Sequence, residues 1–352
     1  MDPLLKYYTV QELHNWLVHN QLIEGLSNKI IAPQRAWAII HNPYVRDTDV
    51  VLCAIFENDI PVAYTAAFPE WIDSEQRLIW WFSTLYCHPS VQGKGYGLIV
   101  VGQLCELIGE GNFFDVDGAP ETVSIFDYLG LKHHYVKRYV FTEKKICSDS
   151  FKGKIAYCLK YFRHLKINVM RSIVKKKIRY SNYRINYINH IDDFTYHFIK
   201  NHSIDDVFLR TQSMFNWILS YPFMKQIPLS NRLDKTLVFS SQVNMYCLQA
   251  VQVWVKNKLV GVFIYRIMDN KMSINYLYYI KQNEQEVFCA IIEHMIHTHS
   301  KELRTTNCIL GEWLKKIKLT EKMQMEKFSF SYPDWFCNCN CQLQLGDGDA
   351  FV

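Results

Sequence analysis

Apolar positions recur at helical spacing from Val10 to Asn20 and again from Pro33 to His41, where Asn42-Pro43 stops the second run. The period then shortens to that of strands. Val50–Glu57, Val62–Phe68 and Leu78–Cys87 read as three strands, with Asn58-Asp59 at the first turn and Asp73-Ser74-Glu75 in the second. The pattern next predicts a helix from Tyr96 to about Gly109, a short buried strand over Phe113–Val116, and a helix over Thr122–Leu129 closed by Gly130. A strand over Tyr135–Thr142 ends this half.

The second half repeats the grammar. Helices are predicted over Asp192–Asn201 and Thr211–Ser220, the latter stopped by Tyr221-Pro222 as the earlier one is by Asn42-Pro43. Strands follow over Met245–Val255, Leu259–Met268 and Met272–Ile280, turning at Asn257-Lys258 and Asp269-Asn270. A helix over Glu286–His299 and a strand over Thr305–Leu310 complete the series. Trp37 before Pro43 and Trp217 before Pro222 match in position, which points to a duplicated unit.

A basic segment separates the halves. Between Phe151 and Arg184 there are eleven Lys/Arg and no acid, so the net charge of +5 leaves the rest of the chain at −6. Ile155, Leu159, Phe162, Leu165, Val169 and Ile173 fall at helical spacing there, which predicts an amphipathic linker helix with a solvated basic face. An anionic membrane surface or a phosphorylated acceptor is the alternative use of that face. Charge confined to one segment argues against nucleic-acid binding. The expected domains are residues 1–148, the linker 149–184, and residues 185–352.

The 352 residues are too many for one core, and the 49% apolar share suffices for two. No run of about 18 uncharged apolar residues exists, so a membrane span is not expected. Eleven scattered cysteines and no export signal in Met1-Asp2-Pro3 and the residues after it suggest reduced thiols in a cytoplasm. The alternating tail Cys337-Asn338-Cys339-Asn340-Cys341-Gln342-Leu343-Gln344-Leu345 predicts a strand with Cys and Leu inward and Asn and Gln outward, not a zinc site. His294, His297 and His299 have no obvious fourth ligand, so no metal is expected.

The chemistry concentrates where the third strand runs through His88-Pro89-Ser90-Val91 into Gln92-Gly93-Lys94-Gly95-Tyr96-Gly97 and then a helix. First-turn N–H groups have no partner within a helix and point out of its end, so they can hold an anion. Gly93, Gly95 and Gly97 would let that backbone approach a pyrophosphate, and Lys94 could add a charge. This is no P-loop, because Gly95 is followed by Tyr96 rather than Lys-Ser/Thr. The dinucleotide pattern fails as well, because Gly95 is followed by Tyr96-Gly97-Leu98. The segment resembles the Gln/Arg-x-x-Gly-x-Gly/Ala signature of the GNAT superfamily of acyl-CoA N-acyltransferases at Gln92, Gly95 and Gly97. The preceding three-strand meander and the later Leu129-Gly130-Leu131 agree with it over roughly Pro33 to Phe141.

That resemblance implies an α/β fold of two tandem GNAT-like units, each a mixed, mostly antiparallel sheet flanked by helices. It also implies acetyl-CoA or another acyl-CoA as co-substrate. The pyrophosphate would rest on Gly93–Gly97, and the pantetheine would lie beside Leu85, Tyr86 and Cys87. The second unit is degenerate: no glycine occurs between Gly261 and Gly311, and its turn reads Lys281-Gln282-Asn283-Glu284. The expected activity is transfer of an acyl group, most naturally acetyl, to an amine of a small acceptor. An O- or longer-chain acyltransferase and a non-catalytic acyl-CoA sensor are the alternatives.

Two family positions are altered. Phe126 stands where the family's thiolate-protonating Tyr is usual, and Ala119 stands where an Asn is common. Tyr86 and Tyr128 are the candidate acids, although Tyr128 points about 160° away from Phe126 on a helix. Glu70 and Asp117 are the first candidates for the base, at strand ends that could face the acceptor. Asp115 comes next, and His88 sits beside the phosphate turn. Cys87 resembles a nucleophile only by location.

Overall fold

The structure is a computed structural model that describes residues 3–72, 76–109, 111–142, 183–203, 206–226, 242–317, 322–336 and 343–348. The predicted linker helix over Phe151–Tyr180 and the Cys337–Cys341 part of the alternating tail lie outside them. No helix among the described residues is long and apolar enough to cross a membrane.

The first half contains β1 (Leu4–Thr9), α1 (Val10–Val18), α2 (Pro33–Ile40), β2 (Val50–Glu57), β3 (Ile60–Ile72), β4 (Arg77–Cys87), α3 (Tyr96–Ile108), β5 (Phe113–Val116), α4 (Pro120–Tyr128) and β6 (Lys132–Thr142). The second contains β7 (Tyr183–Ile188), α5 (Asp193–His202), α6 (Gln212–Ser220), the two-residue strands β8 (Lys225–Gln226) and β9 (Gln242–Val243), β10 (Tyr246–Val255), β11 (Lys258–Met268) and β12 (Lys271–Tyr279). It closes with α7 (Glu284–His297), β13 (Glu302–Thr305), α8 (Cys308–Ile317) and β14 (Lys322–Tyr332). Polar caps set several helix starts. Thr9 and Glu12 form a capping box on α1, and Asp192 and Thr211 cap α5 and α6.

All strands but β8 and β9 join one sheet in the order β1-β2-β3-β4-β5-β14-β6-β13-β12-β11-β10-β7. The order is symmetric about its centre, where β6 and β14 pair along their whole length from Lys132↔Tyr332 to Thr142↔Lys322. Each half lends a strand to the other: β14 pairs with β5, and β6 pairs with β13. Aromatic packing holds β14 in place. Phe330 stacks on Phe114 at 6.0 Å, and Phe208 and Phe336 meet both rings edge-on and stack on each other. Such ring pairs contribute about 0.5–1.5 kcal/mol each beyond area burial.

Two expectations fail locally. The predicted strand Thr305–Leu310 is instead the end of β13 followed by α8, because the Asn307 side chain accepts from Leu310 N–H and caps a helix. At the tail, Leu343 and Leu345 are buried as alternation requires, but Gln344 is buried too and the described residues 343–345 form no strand. Gln344 donates to Asp206, and its N–H reaches Asp347. His294 packs in the core of the second half, 4.0 Å from Tyr265 and hydrogen-bonded to Tyr187, where burial holds its pKa down at about 4.

Candidate active site

The parallel strands β4 and β5 pair only at Trp80↔Phe113 and Trp81↔Phe114, then part. At the same place β4 is bulged against β3, between the pairs Ala66↔Ser83 and Tyr64↔Tyr86. Thr84 sits in the bulge with φ +61°, a left-handed conformation that costs a β-branched residue of order 1–3 kcal/mol. The bulge turns Leu85, Tyr86 and Cys87 along an edge that β5 has left, so backbone groups there can pair with an extended ligand.

The glycine turn lies at the end of that edge. Gly93 and Gly95 have φ +84° and +77°, and a Cβ built on either would meet no atom within 4 Å. Gly95 is the N-cap of α3, so the first-turn amides of α3 have no acceptor within the helix. Gly97 is different: a Cβ there would lie 3.0 Å from Cys87 Sγ and 3.1 Å from Ile125, so glycine lets α3 approach β4 and α4. This backbone fits a pyrophosphate. Lys94 is less available than its sequence position suggests, because Glu57 accepts from its ammonium at 2.9 Å and from the Tyr96 hydroxyl at 2.7 Å. His88 is also turned inward to its own turn, bonding Ser90.

Past the bulge opens a cleft of about 380 Å³, the size of a small-molecule site. Phe82, Ser83, Thr84 and Leu85 form one wall, with Asp115 and Asp117 beside them at the end of β5. Arg266, Ser273 and Arg304 form another, with Arg138 and Leu345 completing the lining. Of the first candidates, Tyr86, Tyr128, Glu70 and Asp117, only Asp117 lines this cleft, together with the next candidate, Asp115. Asp117 has φ +54°, and Arg138 holds its carboxylate at 2.7 Å while also pairing with Glu326 at 2.9 Å.

Glu70 is elsewhere, and the reason is plain. Strand β3 continues to Ile72, so Glu70 is inside the strand rather than at its end, and it is only 1% exposed. Trp81 Nε1 donates to it at 2.6 Å, and Arg210 pairs with it at 2.7 Å. Tyr86 packs on Tyr64 with ring centroids 5.1 Å apart. Tyr128 is 77% exposed on the outer face of α4. Phe126 is fully buried against Phe82, 4.9 Å between centroids. Tyr128→Phe is therefore expected to lower turnover less than tenfold, as for surface changes generally. Loss of a thousandfold with coenzyme affinity intact would show that the ring swings inward.

The structure also brings in groups not singled out from the sequence. Arg35 is buried in α2, stacks on Phe223 and donates to Ser83 Oγ. Arg138, Arg266 and Arg304 come from strands whose roles depend on the long-range pairing of the two halves. Their one local signal is a charged residue inside an apolar run, as with Arg266 in Leu259–Met268.

The corresponding place in the second half is filled. Strands β12 and β13 pair from Lys271↔Glu302 to Ser273↔Arg304, and β12 is bulged at Asn275 as β4 is at Thr84. There Gly346 N–H donates to Asn275 C=O at 2.9 Å, and the Tyr276 hydroxyl donates to Gly346 C=O. The chain's own segment Leu343–Gly348 thus lies on the edge whose counterpart in β4 is open. A Cβ on Gly348 would meet Val116 and Trp81 at 2.4 and 3.0 Å, so the segment reaches from one half to the other.

No family model and no curated protein matches the chain. Among solved structures it is similar to a GCN5-related N-acetyltransferase from Anabaena variabilis, at 9% identity and TM-score 0.48 over 93% of this chain and 72% of that one. It is also similar to a tandem GNAT protein from the clavulanic acid biosynthesis pathway, at 8% identity and TM-score 0.47 over 94% and 98%. A third is Saccharomyces cerevisiae N-myristoyltransferase, at 11% identity and TM-score 0.46 over 93% and 79%. In element order, strand order, the parting of β4 from β5 and the glycine-capped start of α3, the fold is that of two GNAT-like units in tandem sharing one sheet.

Proposed function

We propose that the chain is an acyl-CoA-dependent acyltransferase that moves an acyl group, in the first instance acetyl, to the amine of a small acceptor. In this reading residues 1–148 hold the coenzyme, residues 185–352 wall the acceptor side, and 149–184 link them. The observation that carries it is the open edge of β4 beyond Trp81, ending at the glycine turn of α3. Acyl-CoA supplies a thioester whose carbonyl an amine can attack directly. Backbone groups of Leu85, Tyr86 and Cys87 would pair with its pantetheine arm, and the turn Gln92–Gly97, with Lys94 and Tyr96 stapled to Glu57, would take the pyrophosphate.

The acceptor amine must lose a proton, and Asp117 and Asp115 are the carboxylates that line the cleft. Asp117, oriented by Arg138, is the proposed route for that proton. For the carbonyl oxygen or the leaving thiolate, Ser83 is the proposed donor. Arg35 donates to its Oγ, which directs the Ser83 proton away from Arg35. Phe126 has no proton to give, so no aromatic hydroxyl acts from that position. Burial raises the Cys87 thiol pKa, which disfavours a thiolate nucleophile and supports direct transfer.

The deciding experiment is a coenzyme-A-release screen over amine and sugar acceptors, with acetyl- and longer acyl-CoA as donors. Thiol release that requires an amine supports the reading. Tight coenzyme binding with no release for any acceptor would favour the sensor instead.

A further inference from the structure

Beside the cleft, strand register lines up three polar side chains. Asp115 on β5 pairs with Ser331 on β14, and Ser331 pairs with His133 on β6. Directly paired residues project from the same face of a sheet, with Cβ atoms about 4.5–5.5 Å apart. Ser331 therefore stands between a carboxylate that lines the cleft and an imidazole beyond it. Its hydroxyl lies 2.8 Å from His133 Nδ1. On the far side of the ring, Nε2 lies 2.6 Å from Oδ1 of Asp127 on α4.

The row leads outward. Helix α4 advances about 1.5 Å per residue, so Asp127 is roughly 7–12 Å along it from Thr122 and Ala119, which line the cleft. Asp115 and Ser331 are buried, whereas the Asp127 side chain is 63% exposed. A carboxylate beside Nε2 places the ring's proton there, which leaves Nδ1 to accept from the Ser331 hydroxyl. Each group in the series is thus oriented to pass a proton away from the cleft. The order Ser–His–Asp does not make Ser331 a nucleophile, because it is 0% exposed and has no surface to present to a substrate. Lys132 and His134 flank His133 on β6 but project from the opposite face, and Lys132 pairs with Asp334 at 3.1 Å.

We propose that Asp115, Ser331, His133 and Asp127 carry the acceptor's proton from the cleft to the surface. This rests on the acyltransferase reading above and adds to it the exit of the proton taken up at Asp117. Asp117 lines the same cleft as Asp115 and passes the proton to it, directly or through one water. Asp115 then donates to Ser331 Oγ as the Ser331 proton moves to His133 Nδ1. The ring gives its Nε2 proton to Asp127, which loses it to bulk water. One proton enters and one leaves, and rotation of the ring and the hydroxyl restores the starting arrangement.

The test follows thiol release in two variants that break the path at different points. Positioned proton transfer contributes about a hundredfold or more, part of which bulk water can replace, so His133→Ala and Ser331→Ala should each lower kcat at least about tenfold. KM for the acyl-CoA should stay within about twofold. Imidazole in the buffer should restore His133→Ala severalfold and do nothing for Ser331→Ala, whose break lies nearer the cleft. Turnover close to wild type in either variant would overturn the proposal. A loss that imidazole relieves in neither variant would also overturn it, as the mark of a structural contact, and so would relief in both.

Nitrogen-15 NMR of the imidazole rings covers the case in which no acceptor releases thiol, with His133 identified by its absence in His133→Ala. Asp115→Asn should move the His133 Nδ1 resonance in the otherwise wild-type protein and leave it in place when Ser331→Ala is also present. A resonance that does not move, or that moves equally without the Ser331 hydroxyl, would mean that the path is not connected. If the coupling is present and no thiol is released, the path stands and the acyltransferase reading is the part that fails.

Discussion

Gly95→Glu is expected to abolish coenzyme binding, with affinity falling at least about a hundredfold, or roughly 2.8 kcal/mol. Two effects add. At φ +77° an L-residue pays about 1–2 kcal/mol that glycine does not. A carboxylate at the N-cap of α3 also competes with the pyrophosphate for the same amides and repels it. The protein itself should fold, because a Cβ at Gly95 meets nothing within 4 Å. Gly102→Ala, at an equally open position inside α3, is the control and should leave binding unchanged. Calorimetry on the wild type should give one site per chain. A second equivalent site, or binding that survives Gly95→Glu, would remove the coenzyme from this turn.

The largest stability effect is expected at Arg210. Its guanidinium is fully buried between Glu70 at 2.7 Å and Asp347 at 3.3 Å, and it lies over the Tyr276 ring. Removing it in Arg210→Met leaves those acids buried without their counter-charge, which costs about 3–5 kcal/mol. Asp206 is drawn in through Gln344. Burial, with Asp347 nearby, pushes the Asp206 pKa up to about 8, and burial pushes Asp347 up to about 7 despite Arg210.

The sign of the pH dependence follows from those values. Both acids keep protons in the folded state that the unfolded chain releases near pH 4. Their contribution is fully present below about pH 4 and is lost as pH rises through about 7 and 8. Denaturation of the wild type should therefore show stability falling between pH 6 and 8.5, by at most about 4 kcal/mol. Asp206→Asn should flatten that slope. An unchanged slope would mean that the cluster does not titrate in this range.

Much of the scaffold was legible because it is local. The meanders β2–β4 and β10–β12 follow from alternating apolar residues and the turns Asn58-Asp59, Asn257-Lys258 and Asp269-Asn270. The glycine turn was legible because its chemistry lies in six consecutive residues. What escaped depends on distant partners. β1 and β7 are short edge strands, and nothing in Lys322–Tyr332 says that β14 inserts between β5 and β6. Glu70 looked exposed because Pro69 suggested a strand end, but Arg210, 140 positions later, claims its carboxylate. Arg266 and Arg304 are brought to one cleft across β12 only through sheet register, so their shared place could not be seen in either local sequence.

The exchange of β6 and β14 sets a timetable for the newborn chain. Strand β5 waits for a neighbour, β14, whose last residue, Tyr332, is made 190 positions after Thr142 closes β6. At about 5–20 residues per second, synthesis leaves that edge bare for roughly 10–40 s, long against the microseconds in which a hairpin closes. During that interval the first half offers unpaired strand edges to any other chain emerging nearby. A ribosome-bound nascent chain stopped after β6 should therefore recruit holdase chaperones, and release them only once β14 has cleared the exit tunnel.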